Sequence, residues 1–224
     1  MRIINGRLPP FKYAPPKGRP EVVYEDQHLL VVDKKSGLLS VPGRAPEHKD
    51  SLLGRVQTDF PGTLLVHRLD MATSGLTIFA KHRQAQKNLA RMFQEREVQK
   101  LYEARVYGKM EASQGRVELP LMTDWDRRPL QKVCFIEGKK ALTHWRVLER
   151  EKNATRVELK PHTGRSHQLR MHMKEIGHPI LGDRFYAPPL VQALAPRLNL
   201  HAKFLGLRHP CMDSWFECSA PAGF

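Results

Sequence analysis

The sequence predicts an α+β fold built around a mixed or antiparallel β-sheet. Strand-like runs outnumber helical ones, and the two do not alternate as they do in parallel α/β folds. Apolar residues make up 41% of the 224 residues, enough to bury a core. Because no repeat or linker interrupts the chain after residue 20, a single domain over residues 21–224 is the simplest interpretation.

The first elements of this domain are predicted from short apolar runs and the turns between them. Residues 22–24 and 28–32 flank a polar turn and predict a β-hairpin. Residues 51–59 fit a short helix, since Pro-Gly follows. Residues 64–66 and 76–80 predict two strands joined by a loop.

In that loop, Thr73-Ser74-Gly75 supplies residues typical of a turn. Ala85, Leu89, Met92 and Phe93 then repeat at i, i+4, i+7 and i+8, which predicts a helix with one apolar face. A third helix is expected at residues 167–176, ended by a glycine. Further strands are expected at residues 101–107, 116–121, 131–136, 141–149, 154–160, 198–207 and 215–218.

Charge and cysteine content restrict the function. The 37 lysines and arginines exceed the 23 acids, and the resulting net charge of +14 favours contact with a polyanion such as nucleic acid. No apolar run approaches the roughly 20 residues of a membrane span. Three widely spaced cysteines without a CxxC pair fit a reducing cytoplasm better than a disulfide scaffold.

The N-terminal residues 1–20 contain five basic residues and five prolines but no acid. Two interpretations stay open: an extended basic arm along a phosphate backbone, or a tail without function.

Common cofactor and metal motifs are missing from the sequence. It contains no GxGxxG and no P-loop, so we expect no nucleotide cofactor. The histidines His162, His167, His172 and His178 are spaced by five or six residues rather than the four that place two ligands on one helix face. We therefore expect no metal, and hydrogen-bonding or surface roles for most histidines.

Two segments concentrate polar residues where an apolar element meets a loop: residues 67–75 and 163–170. Taken separately, an Asp between an Arg and a turn fits a helix cap or an ion pair, and an arginine-rich turn before a helix fits a phosphate site. Together they resemble the RluA-type pseudouridine synthases: residues 67–75 are similar to the catalytic HRLDxxTSG motif, and residues 164–170 to GRxHQ[IL]R.

Three more segments extend the resemblance to nearly the whole chain. Residues 178–183 are similar to the family's HPxxGD motif, and residues 37–43 and 183–187 narrow the resemblance to its small dual-specificity members. One departure is Lys34-Lys35-Ser36-Gly37, where the family usually has Lys-Pro-x-Gly. Because of this departure, the resemblance does not predict the shape of this RNA-facing loop.

The resemblance implies a pseudouridine synthase fold, in which a mixed, mostly antiparallel sheet with flanking helices and loops surrounds a central RNA-binding cleft. The implied reaction isomerises uridine in RNA to pseudouridine without cofactor or metal. The implied substrates are a hairpin-loop uridine of 23S rRNA and an anticodon-loop uridine of some tRNAs. Alternatives are a non-catalytic RNA-binding protein and, third, a histidine-based ribonuclease. We expect a cytoplasmic monomer.

The resemblance also assigns the catalytic residues. Asp70 supplies the carboxylate required at the electron-deficient C1′, either as a covalent adduct or by removing a C2′ proton. Arg170 keeps that carboxylate ionised, with a phosphate contact as the alternative. Tyr102 stacks on uracil and assists the loss of the C5 proton; without the resemblance it would be an ordinary strand aromatic.

The remaining site residues are expected to bind the substrate. Arg68 resembles the residue that fills the position of the flipped base, because its long stem ends in a planar head that stacks. Leu169 forms an apolar wall that excludes water. His67 packs against its loop rather than acting as a base. Further expected RNA contacts are Arg165, Lys34 and Arg44.

Overall fold

The computed structural model describes residues 12–224, which form two compact units. The discontinuous unit comprises Tyr13–Leu101 and His201–Phe224, and the inserted unit comprises Tyr102–Leu200. The strands are β1 (Glu21–Glu25), β2 (Leu29–Lys34), β3 (Leu64–Leu65), β4 (Ser74–Ala80), β5 (Gln99–Tyr107), β6 (Gln114–Glu118), β7 (Leu121–Thr123), β8 (Gln131–Val133), β9 (Leu142–Arg150), β10 (Ala154–Pro161), β11 (Leu200–Arg208) and β12 (Trp215–Ser219). The α-helices are α1 (Leu52–Asp59), α2 (Arg83–Glu95), α3 (Gln168–Glu175) and α4 (Pro189–Ala193).

The discontinuous unit is built on two buried central strands. The antiparallel pair β2–β4 continues to β1 on one side, and β11 pairs in parallel with the beginning of β4. The strands β3 and β12 pair with β4 and β11 respectively, both antiparallel. Of these pairings only that of β4 with β11 is parallel, so the sheet that they form is mixed and mostly antiparallel, as predicted.

Alternate residues of β2 face two different helices, because successive side chains of a strand point to opposite faces. Leu29 and Val31 pack in one cluster with Leu89 of α2, whereas Leu30 packs in another with Val56 of α1. A side chain caps the N-terminus of each helix: Ser51 accepts from Gly54 N before α1, and His82 accepts from Ala85 N before α2. Each fully buried aliphatic side chain in these layers stabilises the fold by roughly 2 kcal/mol.

The inserted unit contains an antiparallel sheet in the order β5-β10-β9-β6 and a separate β7–β8 hairpin. Here α3 packs against β9, and Met171 of α3 lies in a core with Leu121 and Ala141. The short helix α4 was not expected from the sequence. It has five residues, too few for a periodic pattern, and packs Val191 against Leu181.

The predicted turn at residues 73–75 is partly wrong, because Ser74 and Gly75 are the first residues of β4. Gly75 lies opposite Ala202 of β11 and has φ +113°. A Cβ atom at this position would overlap the Ala202 backbone. Glycine is therefore required for close strand approach as well as for its backbone conformation.

Residues 1–11 of the expected basic arm lie outside the described residues. The rest of the arm contacts the discontinuous unit: the Tyr13 hydroxyl donates to Asp50 O at 2.9 Å and accepts from Leu39 N at 3.0 Å, and Arg55 donates to Gly18 O at 2.8 Å. The boundary at residue 20 and the single domain stay predictions.

Candidate active site

Asp70 lies half-buried in the loop that leads from β3 to β4. The loop tightens directly after it, since Thr73 N donates to Asp70 O at 3.1 Å. Leu69 before it is 7% exposed. The carboxylate therefore follows a buried anchor and precedes a turn, so the backbone on both sides of it is fixed.

A neighbouring segment, residues 34–40, holds this loop by its carbonyl groups. We call residues 69–72 the catalytic loop, after the role predicted for Asp70, and residues 34–40 the clamp. The contacts are Ser40 Oγ to Leu69 O at 2.7 Å, Gly37 N to Met71 O at 2.8 Å, and Ser36 Oγ to Ala72 O at 2.6 Å. Since each of these bonds ends on a main-chain oxygen of the loop, the clamp fixes the backbone on both sides of Asp70.

Lys34 is the centre of the clamp. Its side chain is 0% exposed, and Nζ donates to Lys35 O, Leu38 O and Met71 O at 3.1, 2.8 and 3.0 Å. Burial lowers the pKa of Lys34 to about 7, and the charge of Asp70 opposes this shift. The expected RNA contact of Lys34 stays a prediction; in the structure its buried ammonium holds the loop through these three carbonyls.

The unusual Lys35 does not disturb the clamp. Its side chain is exposed, and its Nζ donates to Lys17 O at 3.4 Å. The following turn still forms, with Gly37 at φ +89°. The departure from the family pattern thus adds an exposed charge beside a loop whose backbone bonds are intact.

His67 has a structural position at the start of this motif. Its Nε2 accepts from Ile78 N at 3.0 Å, and its ring stacks on Phe93 at 4.6 Å between centroids. Burial, with a smaller effect of the nearby Lys100 charge, lowers the pKa of His67 well below its usual value. The ring is therefore neutral at neutral pH. Arg68, next in the chain, is exposed.

In the inserted unit, the turn before α3 is organised by Gln168. Its Oε1 accepts from Thr163 Oγ1 at 2.7 Å and Arg165 N at 3.0 Å, while its Nε2 donates to Leu142 O and Thr143 Oγ1. All four hydrogen-bonding positions of the amide are used. This buried amide fixes the backbone from which the next two side chains, at positions 169 and 170, extend.

Arg170 forms a buried ion pair with Asp183. Nε and Nη2 of Arg170 donate to the two carboxylate oxygens at 2.8 and 2.7 Å, and the two side chains are 4% and 1% exposed. Asp183 also accepts from Phe185 N and Tyr186 N at 2.9 and 3.2 Å. The guanidinium orientation is thus fixed by a carboxylate with its own backbone donors.

The other expected residues of the inserted unit are placed as follows. Tyr102 is half-buried on β5, opposite Leu159 of β10. Leu169 is 6% exposed. Arg165 donates from Nε to Lys140 O at 3.1 Å.

Two of the four histidines considered as metal ligands, His172 and His178, make hydrogen bonds within the protein. His172 is 0% exposed and has Thr143 Oγ1 and Leu119 O within 2.9 and 3.1 Å of its two ring nitrogens. Burial lowers its pKa. His178 Nδ1 lies 2.9 Å from Tyr107 O.

The expected site residues are therefore divided between the two units. The discontinuous unit carries Asp70, His67 and Arg68, together with the exposed Arg44; the inserted unit carries Tyr102, Arg165, Leu169 and Arg170. Two residues that position others were not predicted from the sequence, although both lie in segments that carry the family resemblance. Ser40 holds the catalytic loop, and Asp183 orients Arg170.

The model of a family described as RNA pseudouridylate synthase matches residues 28–175. The chain belongs to this family. The synthase is 53% identical over 205 residues to the dual-specificity RNA pseudouridine synthase RluA of Pasteurella multocida, covering 91% of the chain and 94% of the relative. Identity to the protein of the same name in Escherichia coli K12 is 54% over 204 residues, covering 91% and 93%.

Solved structures agree with this assignment. Human RNA Pseudouridylate Synthase Domain Containing 1 matches at 29% identity with a TM-score of 0.78, covering 93% of this chain and 86% of that structure. The expected family and fold are confirmed, and the synthase is an isomerase acting on RNA. No helix in residues 12–224 has the length and hydropathy needed to span a membrane.

Substitution of Lys34 should change how stability depends on pH. Because the folded-state pKa of about 7 lies below the unfolded value of about 10.4, the unfolded chain binds more protons between them, and stability rises with pH across this window. Lys34→Met should remove this rise, whereas Lys35→Met at the exposed neighbour should keep it. Urea unfolding at about pH 7 and about pH 9.5 measures the difference; equal pH dependence in both variants would contradict the assignment.

Breaking the Arg170–Asp183 pair should be costly. Arg170→Met leaves a buried carboxylate uncompensated and should lower the free energy of unfolding by about 3–5 kcal/mol. The exposed Arg146–Glu158 pair is the control, and Arg146→Met should cost no more than about 1 kcal/mol. In an Asp183→Asn background the effect of Arg170→Met should shrink; strict additivity in this double-mutant cycle would show that the two side chains are not coupled.

Proposed function

We propose that this synthase acts on uridines in two classes of RNA, a hairpin loop of 23S rRNA and the anticodon loop of some tRNAs. The observation that carries the proposal is the similarity, over nine-tenths of both chains, to relatives named for dual specificity. We place the reaction in the cytoplasm, where an RNA substrate and the free thiols of Cys134, Cys211 and Cys218 are compatible.

In the proposed reaction the N1–C1′ bond breaks, the uracil rotates, and a C5–C1′ bond forms. C5 then loses a proton and N1 gains one, so no atom is added and no electron acceptor is needed. Asp70 provides the carboxylate at C1′, as the nucleophile of a covalent adduct or as the base that removes a C2′ proton. Its support is the clamp, which holds the backbone on both sides.

The remaining roles follow the family resemblance. Tyr102 stacks on the uracil and takes part in removal of the C5 proton, and Leu169 excludes the water that would otherwise capture C1′. Exposed Arg68 fills the position that the flipped uridine leaves. The pairing of Arg170 with the Asp70 carboxylate stays a prediction. A non-catalytic RNA-binding function is not favoured, because the family match covers the catalytic motif.

We propose local recognition of the RNA. With a net charge of +14, exposed basic residues bind phosphates along a stem, and sequence is read from the unstacked loop after flipping. Two unrelated RNAs are then both substrates when their loops adopt one bent conformation.

Asp70→Asn should abolish isomerisation while changing RNA affinity by no more than a few-fold, because phosphate contacts supply most of the binding energy. The assay is tritium release from uridine-5-tritiated RNA in EDTA, with filter binding for affinity. Intact label with wild-type enzyme would support a binding protein, and shortened RNA a nuclease. Appreciable turnover by Asp70→Asn, free of deamidation, would contradict the assigned role.

Short synthetic hairpins should be substrates if recognition is local. We expect an anticodon stem-loop and a ribosomal hairpin to react at steady-state rates comparable to those of the full-length RNAs. The control for each is the same hairpin with its target uridine replaced by cytidine, which should release no label. If both hairpins are inert while the full-length RNAs react, recognition extends beyond the loop and the local model is wrong.

A further inference from the structure

Three connections of the discontinuous unit bring two histidines and a cysteine together. His28 lies in the β1–β2 turn, His82 between β4 and α2, and Cys211 in the β11–β12 turn. One ligand atom of each lies within 4.8 Å of the others. His28 Nδ1 and His82 Nε2 are 2.9 Å apart, and Cys211 is exposed to solvent.

The surrounding hydrogen bonds hold these connections in place. Asp26 Oδ1 accepts from His28 N at 2.7 Å, which fixes the first turn. His209 links the first and third turns, since its Nε2 lies 2.9 Å from Asp26 Oδ2 and its Nδ1 accepts from Cys211 N at 3.3 Å. Asn88 of α2 donates to Pro210 O at 2.6 Å. Both His209 ring nitrogens are thus used, and this side chain supports the site without being a ligand.

We propose that His28, His82 and Cys211 form a zinc-binding site with an open fourth position for water. Two imidazoles and a thiolate are ligands that zinc prefers. Tetrahedral zinc with bonds of about 2.0–2.1 Å separates two nitrogen ligands by about 3.3 Å. The observed 2.9 Å between the ring nitrogens therefore requires only a small outward movement.

Zinc binding at this site changes the position of one histidine proton and removes the thiol proton. His82 Nδ1 accepts from Ala85 N at 3.3 Å, so in the metal-free state its proton is on Nε2 and is donated to His28 Nδ1. Zinc takes the place of this shared proton, which moves to His82 Nδ1 at the expense of the contact with Ala85. Zinc binds the thiolate form of cysteine, so the Cys211 thiol loses its proton on binding and one proton is released per zinc.

The site is at the opposite end of the central strands from the catalytic loop. His28 precedes β2 and His82 follows β4, whereas Lys34 ends β2 and Asp70 precedes β4. The length of β2 separates the two ends by roughly 17 Å. Zinc would therefore join three turns and stabilise the fold without taking part in isomerisation, and the proposal is independent of the substrate assignment.

Cobalt(II) binding to the full-length protein tests the proposal, because a thiolate–cobalt bond gives a charge-transfer band in the near ultraviolet. EDTA-treated, dialysed protein should bind one equivalent with this band, and zinc should displace it. Cys211→Ser should lose the band, whereas Cys134→Ser in the inserted unit should keep it. His82→Asn retains a side-chain acceptor for the α2 N-terminus and should weaken binding at least about ten-fold.

Tritium release from RNA serves as the folding control for every variant, since the site is remote from Asp70. A second readout is thermal unfolding, in which zinc should raise the midpoint of the wild-type protein and of Cys134→Ser but not of Cys211→Ser. The proposal is overturned if the wild-type protein gives no saturable band, or if the band persists in active Cys211→Ser protein.

Discussion

The Lys34 ammonium donates to carbonyls of both the clamp and the catalytic loop, and the position of Asp70 depends on this contact. The main chain of that loop is held by side-chain and amide donors of the clamp. The cost is a fully buried cation, which is offset by three carbonyl dipoles and by the nearby acidic charge.

Buried and exposed cations have different tasks in this molecule. Lys34 and Arg170 are both almost inaccessible and hold loop or helix geometry, whereas Arg68 and Arg44 are exposed. Net charge alone does not distinguish these groups. A long basic side chain at the end of an apolar strand is as consistent with carbonyl binding as with phosphate binding, so the carbonyl contacts of Lys34 could not be predicted from the sequence.

Elements with a clear period could be predicted from the sequence. Helix α2 is identified by the spacing of its apolar residues, because only one of its faces is buried. Strands β2 and β4 are identified by runs of mostly apolar residues, because both of their faces are buried. The sequence predicts a turn at Ser74 and Gly75 because both residue types are common in turns. Such local preferences contain no information about the tertiary contact with Ala202 that places these residues in β4. The Arg170–Asp183 pair was missed for the same reason: both residues lie in recognised motifs, but their partnership depends on the folded chain.

The parallel pairing of β4 with β11 has a consequence for synthesis. Ser74 and its partner His201 are 127 residues apart in sequence, and the whole inserted unit is translated between them. A nascent chain therefore carries the catalytic motif long before the strand that completes its sheet emerges from the ribosome. Until then one edge of β4 has no β11 partner, and the inserted unit has time to fold as a body of its own. The chain thus contains Asp70 and the clamp early in synthesis, whereas the strand that completes the sheet beside β4 follows late.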